Sequence, residues 1–196
     1  IYEANRAAAK YFHSVLMSEE GSKALEYYRN RKFTLHTIRK FGLGYAPDKW
    51  DGLLKHLRSQ GFSLTELYEA GLVRKGQKNN YYDFFRNRVM TPIIDVRGNV
   101  VAFGGRVLDD SKPKYINNDT LAYKKTNEVF GLNFAKDSGK SEIILCEGYM
   151  DVIAMNQAGF TNCVAGCGTA LTNEQVHLIS RYANEVVLAY DNDEAG

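Results

Sequence analysis

The pattern of apolar and polar positions changes twice along the chain and divides it into three parts. In roughly the first 70 residues, apolar positions recur at helical spacing, and glycines separate short segments. Shorter apolar runs bounded by turn residues follow and are typical of strands. In the last part, apolar runs alternate with helical segments. This order predicts an α+β part over residues 1–140 and an α/β part with parallel strands over residues 141–196.

The first part predicts a series of short helices. Thr34 can cap a helix that ends near Phe41, and the stretch Ser63–Glu66 has the pattern of a capping box. Asp48 is expected to cap a helix that ends at Ser59. The predicted helices cover residues 3–17, 18–28, 34–41, 50–59 and 63–70. Four of their aromatic residues are expected in the core rather than at the surface as stacking platforms: Tyr27, Tyr28, Phe41 and Trp50.

Strands replace helices in the middle of the chain. Two apolar runs flank a turn at Arg97 and Gly98 and predict a β-hairpin over residues 89–108. The stretch from Arg86 to Lys125 holds eight basic and four acidic residues, with aromatic residues between them. This composition suits single-stranded nucleic acid, because cations meet phosphates and aromatic rings stack on bases. An ordinary solvated charged surface is the alternative, and the pattern leaves both open.

Acidic residues stand where two predicted strands of the last part end. One apolar run stops at Glu147, and another ends at Asp191, Asn192 and Asp193. Helices between strands imply right-handed crossovers, so the strands are parallel and their carboxyl ends meet at one edge of the sheet. Asp191 and Asp193 are two residues apart and share a side of an extended segment. We therefore expect the three carboxylates to converge.

Three converging carboxylates would repel one another unless a cation lay between them. Hard oxygen ligands without a nearby histidine suit Mg²⁺ or Mn²⁺. The hypothesis is a divalent-metal site at Glu147, Asp191 and Asp193. Helix capping and turn formation are the other common uses of such acids, and Asp151 is expected to start a helix rather than to bind metal.

The charge is divided unevenly along the chain. The net charge is only +2, but residues 141–196 carry eight acids and one base, a net −7, which leaves +9 for residues 1–140. An acidic part beside a basic part fits a metal site that faces a polyanion.

Cysteine usage and hydropathy set further bounds. The three cysteines, Cys146, Cys163 and Cys167, lack the second ligand pair of a structural zinc site. Their odd number and apolar surroundings predict buried, reduced thiols in a cytoplasmic protein. No apolar run is long enough to cross a membrane, so no membrane partner is expected.

Five separated motifs resemble those of bacterial DnaG-type DNA primases and occur in that family's order. They are FFRNRVMTPIIDVRGNVVAFGGR, PKYINN, EVFGL, EGYMDVIAMNQAGFTNCVAGCGTALT and LAYDNDEAG. The EGYMD and DND motifs also resemble the TOPRIM fold, a Rossmann-like fold that primases share with topoisomerases and some nucleases. The resemblance implies the N-terminal subdomain of a primase catalytic core at residues 1–140 and the first part of a TOPRIM domain at residues 141–196, incomplete at its C-terminus.

The resemblance also implies a function. The implied function is that of a DNA-templated RNA polymerase, a nucleotidyltransferase that makes short RNA primers for replication. The residues that match the divalent-metal site of primases are Glu147, Asp191 and Asp193, with Mg²⁺ or Mn²⁺ as cofactor. The residues that match nucleic-acid- or nucleotide-binding positions are Arg86, Arg88, Arg106, Lys114, Tyr115, Asn117 and Lys125. The implied partners are a single-stranded DNA template, ribonucleoside triphosphates and an RNA primer, at the replication fork in the bacterial cytoplasm.

The chain departs from the family pattern in three respects. Primases carry an N-terminal zinc-binding domain and a C-terminal domain that contacts the replicative helicase, and neither pattern occurs here, so no zinc is expected. Their core also continues past the D-x-D motif with another acid, so we expect the metal site in this chain to be incomplete. Two other functions remain open: strand cleavage by a TOPRIM nuclease or topoisomerase, and non-catalytic binding of single-stranded DNA.

Overall fold

The chain folds into two compact units. The computed structural model describes residues 1–78, 80–168 and 170–191. Residues 1–93 and 100–122 form the first unit, and residues 94–99 pack with residue 123 and the chain that follows it in the second. Residues 123–140 therefore pack with the second unit. The domain boundary between residues 140 and 141 stays a prediction.

The first unit contains each of the helices that were predicted for it. Their bounds are α1 Tyr2–Leu16, α2 Ser22–Asn30, α3 Leu35–Lys40, α4 Gly52–Ser59 and α5 Leu64–Glu69, with a 3₁₀ turn at Glu19–Gly21. Two predicted caps are confirmed. Thr34 Oγ1 accepts a hydrogen bond from Thr37 N at 3.2 Å, and the capping box over Ser63–Glu66 forms.

Helix α4 departs from the prediction at its start. It begins at Gly52 with Asp51 before it, so the prediction of a start at Trp50 capped by Asp48 was wrong. The carboxylate of Asp83 accepts hydrogen bonds from two main-chain amides of the first turn, at 2.8 and 2.9 Å. A buried acid that is distant in the sequence thus accepts hydrogen bonds from first-turn amides that a residue next to the helix usually caps.

The prediction of a core position was also wrong for Trp50, whose side chain is 67% exposed. Tyr28 and Phe41 are buried, as predicted, and Tyr27 is half-buried. Packing of α4 against the strands leaves Trp50 just before the helix, on the surface.

The strands of the first unit form one four-stranded sheet and one separate pair. Their bounds are β1 Gly44–Ala46, β2 Val73–Lys75, β3 Tyr81–Asp83, β4 Arg88–Ile94, β5 Val100–Val107 and β6 Tyr115–Asn117. The sheet order is β1-β4-β5-β6, so the predicted hairpin forms its centre, and β2 pairs with β3. Helix α1 lies directly on β1: a Cβ on Gly44 would stand 2.6 Å from Phe12 Cβ. Phe12 meets Phe85 and Phe103 edge to face in the core.

The second unit is a mixed sheet with helices. Its elements are β7 Val129–Phe130, α6 Leu132–Ala135, β8 Glu142–Cys146, α7 Tyr149–Gln157, β9 Cys163–Gly166, α8 Asn173–Ile179 and β10 Glu185–Ala189. The order is β10-β8-β9-β7. Strand β8 is parallel to β9 and β10, which confirms the predicted parallel strands, whereas β7 is antiparallel to β9 and was not predicted.

Two further expectations concern burial and the membrane. All three cysteines are free and buried, as predicted. Burial raises the pKa of the Cys146 thiol to about 12 and that of Cys167 to about 11. Both thiols therefore stay protonated at neutral pH. Among the residues described, no helix combines the length and apolarity needed to span a membrane.

Candidate functional site

Two of the three acids that were predicted to converge follow parallel strands that end at the same edge of the sheet. Strands β8 and β10 are paired with Cys146 opposite Ala189, so the residues after each strand leave the sheet at the same edge. The main-chain N–H of Asp191 donates a hydrogen bond to Glu147 Oε2 at 3.3 Å. The main chain of Asp191 is therefore next to the carboxylate of Glu147, and convergence of the carboxylates stays a prediction. Asp193 lies outside the described residues.

A turn at the start of α7 supports Glu147. Gly148 is the N-cap, and its N–H donates to Asp151 Oδ2 at 3.0 Å, which confirms Asp151 as a helix-start residue. Within residues 1–78, 80–168 and 170–191, no three histidine, cysteine, aspartate or glutamate side chains are grouped as metal ligands. The described part of this edge offers the carboxylates of Glu147 and Asp191, both exposed and both hard oxygen donors.

Lys125 lies on a turn at the same edge of this sheet. Residues 124–128 precede β7, and Gln175 Nε2 donates to the carbonyl oxygens of Lys125 and Glu128, each at 2.9 Å. The Lys125 side chain is exposed, and its Cδ lies 4.0 Å from where a Cβ on Gly168 would stand. Gly168 follows β9, which is parallel to β8. The stem of Lys125 therefore lies at the edge where Glu147 emerges.

A second cluster, in the first unit, joins cations and aromatic rings across β5 and β6. Arg106 is directly opposite Tyr115, and Arg106 Nε donates to the Tyr115 hydroxyl at 3.3 Å. Lys114 Nζ lies 5.8 Å from the centre of the Tyr115 ring, which is 57% exposed. Asn117 pairs with Gly104 on the same strand pair. The predicted residues Arg106, Lys114 and Tyr115 thus form one group, in which Lys114 and Tyr115 are exposed and Arg106 is half-buried; we call it the β5–β6 cluster.

Helix α2 and its C-cap add Tyr27, which was expected in the core, and Arg31, which the sequence pattern did not single out. The guanidinium of Arg106 lies 4.8 Å from the centre of the Tyr27 ring, and that of Arg31, at the end of the helix, lies 5.2 Å from the same ring. Burial raises the pKa of Tyr27, so its hydroxyl stays neutral between these two cations. The spacing of Tyr27 and Arg31, four residues apart on one helix face, is the only signal in the sequence that could have connected them.

Arg88 is buried rather than presented to solvent. It is 8% exposed, and Nη1 donates to the carbonyl oxygens of Gly105, Pro113 and Lys114 at 3.3, 3.1 and 3.4 Å. The desolvation lowers its pKa from the usual value. In this structure Arg88 ties the loop before β6 to β5, so it supports the β5–β6 cluster through the main chain.

Arg86 lies beside the exposed indole of Trp50. Its guanidinium carbon is 4.2 Å from the centre of the Trp50 ring and 5.2 Å from that of Tyr82, and Nη1 donates to the carbonyl oxygen of Asp83 at 2.8 Å. These contacts hold the arginine at the surface with one face against an aromatic ring. The F-R-x-R pattern thus places its two arginines differently: Arg86 at the surface and Arg88 inside.

The sequence as a whole matches two family models. Residues 11–136 match the model described as DNA primase catalytic core, N-terminal domain, and residues 141–196 match the Toprim domain. The chain belongs to the DNA primase catalytic-core family. Lys125 lies in the N-terminal domain match, and Glu147 and Asp191 lie in the Toprim match.

Relatives of this primase-core chain are longer than it is. DNA primases of Clostridium acetobutylicum and Deinococcus radiodurans are each 50% identical to it, over 199 and 201 residues, and the alignments cover 100% of the chain. They cover 33% and 34% of those proteins, so the chain spans about a third of the length of the curated relatives it matches.

Solved primase structures share the fold. The RNA polymerase domain of Mycobacterium tuberculosis primase DnaG, in complex with a double-stranded DNA oligomer with a 6-nucleotide overhang, matches with a TM-score of 0.93 and 40% identity. The match covers 100% of this chain and 64% of that one. The α+β part followed by a Toprim part with parallel strands is therefore the fold of a primase catalytic core.

Proposed function

We propose that this chain is part of a DNA-templated RNA polymerase that makes short RNA primers on single-stranded DNA. The observation that supports the proposal is the hydrogen bond from the Asp191 main chain to Glu147 at the carboxyl ends of parallel strands, in a chain of the primase catalytic-core family. In the proposed reaction, the 3′-hydroxyl of the primer attacks the α-phosphate of a ribonucleoside triphosphate. A phosphodiester bond forms, and pyrophosphate leaves.

We propose Mg²⁺, with Mn²⁺ as a substitute, as the cofactor of this edge. Glu147 and Asp191 would hold it together with Asp193, since carboxylate oxygens at an exposed sheet edge fit a hard cation. A divalent ion held there supplies neutralising charge for the phosphates and lowers the pKa of the attacking hydroxyl. The acids themselves would position the ion, and their negative charge attracts a cation to this edge.

We propose that nucleic acid and nucleotide phosphates meet the basic residues. Arg106, Lys114, Tyr115 and Asn117 present donors and one exposed ring on two paired strands, which suits a backbone with stacked bases. Arg86 would bind nucleic acid or nucleotide at the surface beside Trp50. Lys125 would bind phosphate at the acidic sheet edge, and Arg88 would act by holding the loop of Lys114.

Other partners belong to the proposal for the longer protein. They are an RNA primer, as the product strand, and the replicative helicase. The setting would be the replication fork in the bacterial cytoplasm. The proposed domain boundary between residues 140 and 141 falls between the two family matches.

Extension of a primer with labelled ribonucleotides tests the function. The assay uses a single-stranded template, with Mg²⁺ or Mn²⁺, and a form of the protein that continues beyond residue 196. We expect Glu147→Gln to reduce synthesis by about a thousandfold or more while DNA binding stays within about twofold, because the change removes a metal ligand and no phosphate contact. Glu142→Gln, at the opposite end of β8, is the matched control and should extend normally.

The same assay separates the two other functions. A nuclease or topoisomerase would cut the template in a metal-dependent manner without incorporating ribonucleotides. A binding module would retain the template and show neither reaction. Normal extension by Glu147→Gln would mean that the acidic edge is not the catalytic centre.

A further inference from the structure

Gln175 connects the start of helix α8 to the turn that carries Lys125. It is the third residue of the helix and is 0% exposed. Its main-chain N–H donates to Thr172 Oγ1 at 3.2 Å, and its side-chain Oε1 accepts from Thr172 N at 3.1 Å. These two bonds make a capping box. The side-chain amide nitrogen remains, and it faces away from the helix start toward the turn.

Both hydrogens of that amide nitrogen are donated to the same turn. Gln175 Nε2 lies 2.9 Å from the carbonyl oxygen of Lys125 and 2.9 Å from that of Glu128. A primary amide has two N–H donors and one carbonyl acceptor, so both polar atoms of this buried side chain are hydrogen-bonded. A buried amide with complete bonding holds one conformation, because any rotation leaves polar atoms unpaired.

The turn is fixed on both sides of Lys125. Thr172 Oγ1 donates to the carbonyl oxygen of Thr126 at 2.5 Å, so three carbonyl groups of the turn are bound to residues of α8 and its cap. Within the turn, Asn127 N and Glu128 N donate to the carbonyl oxygen of Lys124 at 2.8 and 3.2 Å. The main chain of Lys125 is anchored while its side chain is exposed.

The anchored lysine lies at the acidic sheet edge. Its stem runs beside Gly168, in the loop after β9, and β9 ends at the same edge as β8, which leads to Glu147. A flexible lysine samples many positions, and fixing its main chain limits them to those beside this edge. Removing the anchor would leave the charge in place but would spread it over more conformations.

We infer that Gln175 is a positioning residue for Lys125. It holds the main chain from which the Lys125 ammonium binds a phosphate group of the substrate, either a phosphodiester of the template or the triphosphate of the nucleotide. Gln175 itself touches neither. The inference rests on the proposed phosphate-binding role of Lys125.

A double-mutant cycle tests the inference. Binding is measured by fluorescence anisotropy with a labelled oligothymidylate and by calorimetry with ATP, for the wild-type chain, Gln175→Met, Lys125→Ala and the double variant. We expect each single change to weaken binding of at least one probe by roughly three- to tenfold. The double variant should bind no more weakly than Lys125→Ala alone, because Gln175 acts only through that lysine. The probe that responds identifies the source of the phosphate.

Ser63→Ala is the matched control. It removes a capping hydrogen bond from α5, and Ser63 does not hold a turn that carries a basic residue, so both affinities should stay unchanged. If Gln175→Met yields too little folded protein, Gln175→Ala replaces it, because it also loses both donors, adds no charge and leaves room for water at the freed carbonyl oxygens.

The outcomes separate the inference from the function it rests on. A double variant weakened by the product of the single effects would overturn the inference, as would Gln175→Met binding like wild type while Lys125→Ala binds weakly. Wild-type affinity in Lys125→Ala would remove the phosphate role of that lysine and the inference with it, while primer synthesis by the longer protein would still stand or fall on its own assay.

Discussion

Asp83 is a buried carboxyl group whose hydrogen bonds and burial have opposite effects on its pKa. It is 2% exposed and accepts hydrogen bonds from two amides of α4, which favour the ionised form. Burial nevertheless raises its pKa to about 6, with Asp51 adding to the rise and Arg86 opposing it. The ordinary value is 3.8, so the folded state binds the proton more tightly than the unfolded chain does.

The pH dependence of stability should report this shift. The contribution of Asp83 to the free energy of unfolding is present in full below about pH 4 and is lost as the pH rises through about 6. Relative to Asp83→Asn, wild type should lose up to roughly 3 kcal/mol between about pH 4 and pH 7. Urea unfolding across this range measures the difference.

Asp109→Asn is the control for that series. Hydrogen bonds from Ser111 lower the pKa of this exposed carboxyl group, so its contribution should grow with pH instead of shrinking. A difference between wild type and Asp83→Asn that stays constant with pH would show that Asp83 titrates normally.

Among the elements, the loop before β6 depends on one side chain from β4. Arg88 donates to two carbonyl groups of that loop and to Gly105 on β5, and the arginine is almost fully buried. Removing the guanidinium leaves those carbonyl oxygens without their donor, and unpaired buried acceptors destabilise the fold. The stability of the β5–β6 cluster thus depends on a side chain from the neighbouring strand β4.

We expect Arg88→Met to lower the free energy of unfolding by about 1–3 kcal/mol and to speed amide exchange in residues 112–117. Arg86→Met, which loses surface contacts with Trp50, should cost less than about 1 kcal/mol and leave that loop protected. Urea unfolding and hydrogen exchange measure the two effects. Equal loss in both variants would argue against a holding role for Arg88.

For the whole molecule, a net charge of +2 conceals opposite charges in the two parts of the sequence. Phosphate binding to the basic part releases counterions, so affinity for single-stranded DNA should fall steeply with salt. Lys114→Ala should weaken binding to an oligothymidylate and reduce the slope of log K against log salt by about 0.7. Lys55→Ala, which removes a lysine paired with Asp51 at 2.9 Å, should leave the slope unchanged.

A slope that stays the same in Lys114→Ala would show that this lysine makes no phosphate contact. Titrations at several salt concentrations distinguish this from a loss of affinity through unfolding, because a partly unfolded population changes the intercept and not the number of ions released.

The features that the sequence predicted correctly are those that depend on neighbours in the chain. The caps at Thr34 and Ser63, the hairpin around Arg97 and the buried cysteines need only a few adjacent residues to form or to be recognised. The parallel strands that lead to Glu147 and Asp191 also followed from the sequence, because alternating strands and helices force parallel pairing. Asp193, Mg²⁺ and the residue roles stay predictions.

Tertiary structure alone decided which buried polar groups act as partners. Asp83 caps α4 from 29 and 30 residues away, Arg88 reaches a carbonyl group 25 residues away, and Gln175 one that is 50 residues away. Trp50 was misplaced for the same reason, since its exposure depends on how α4 meets the strands. Local pattern cannot name such partners, because a buried donor or acceptor is satisfied by whatever group the packing brings to it.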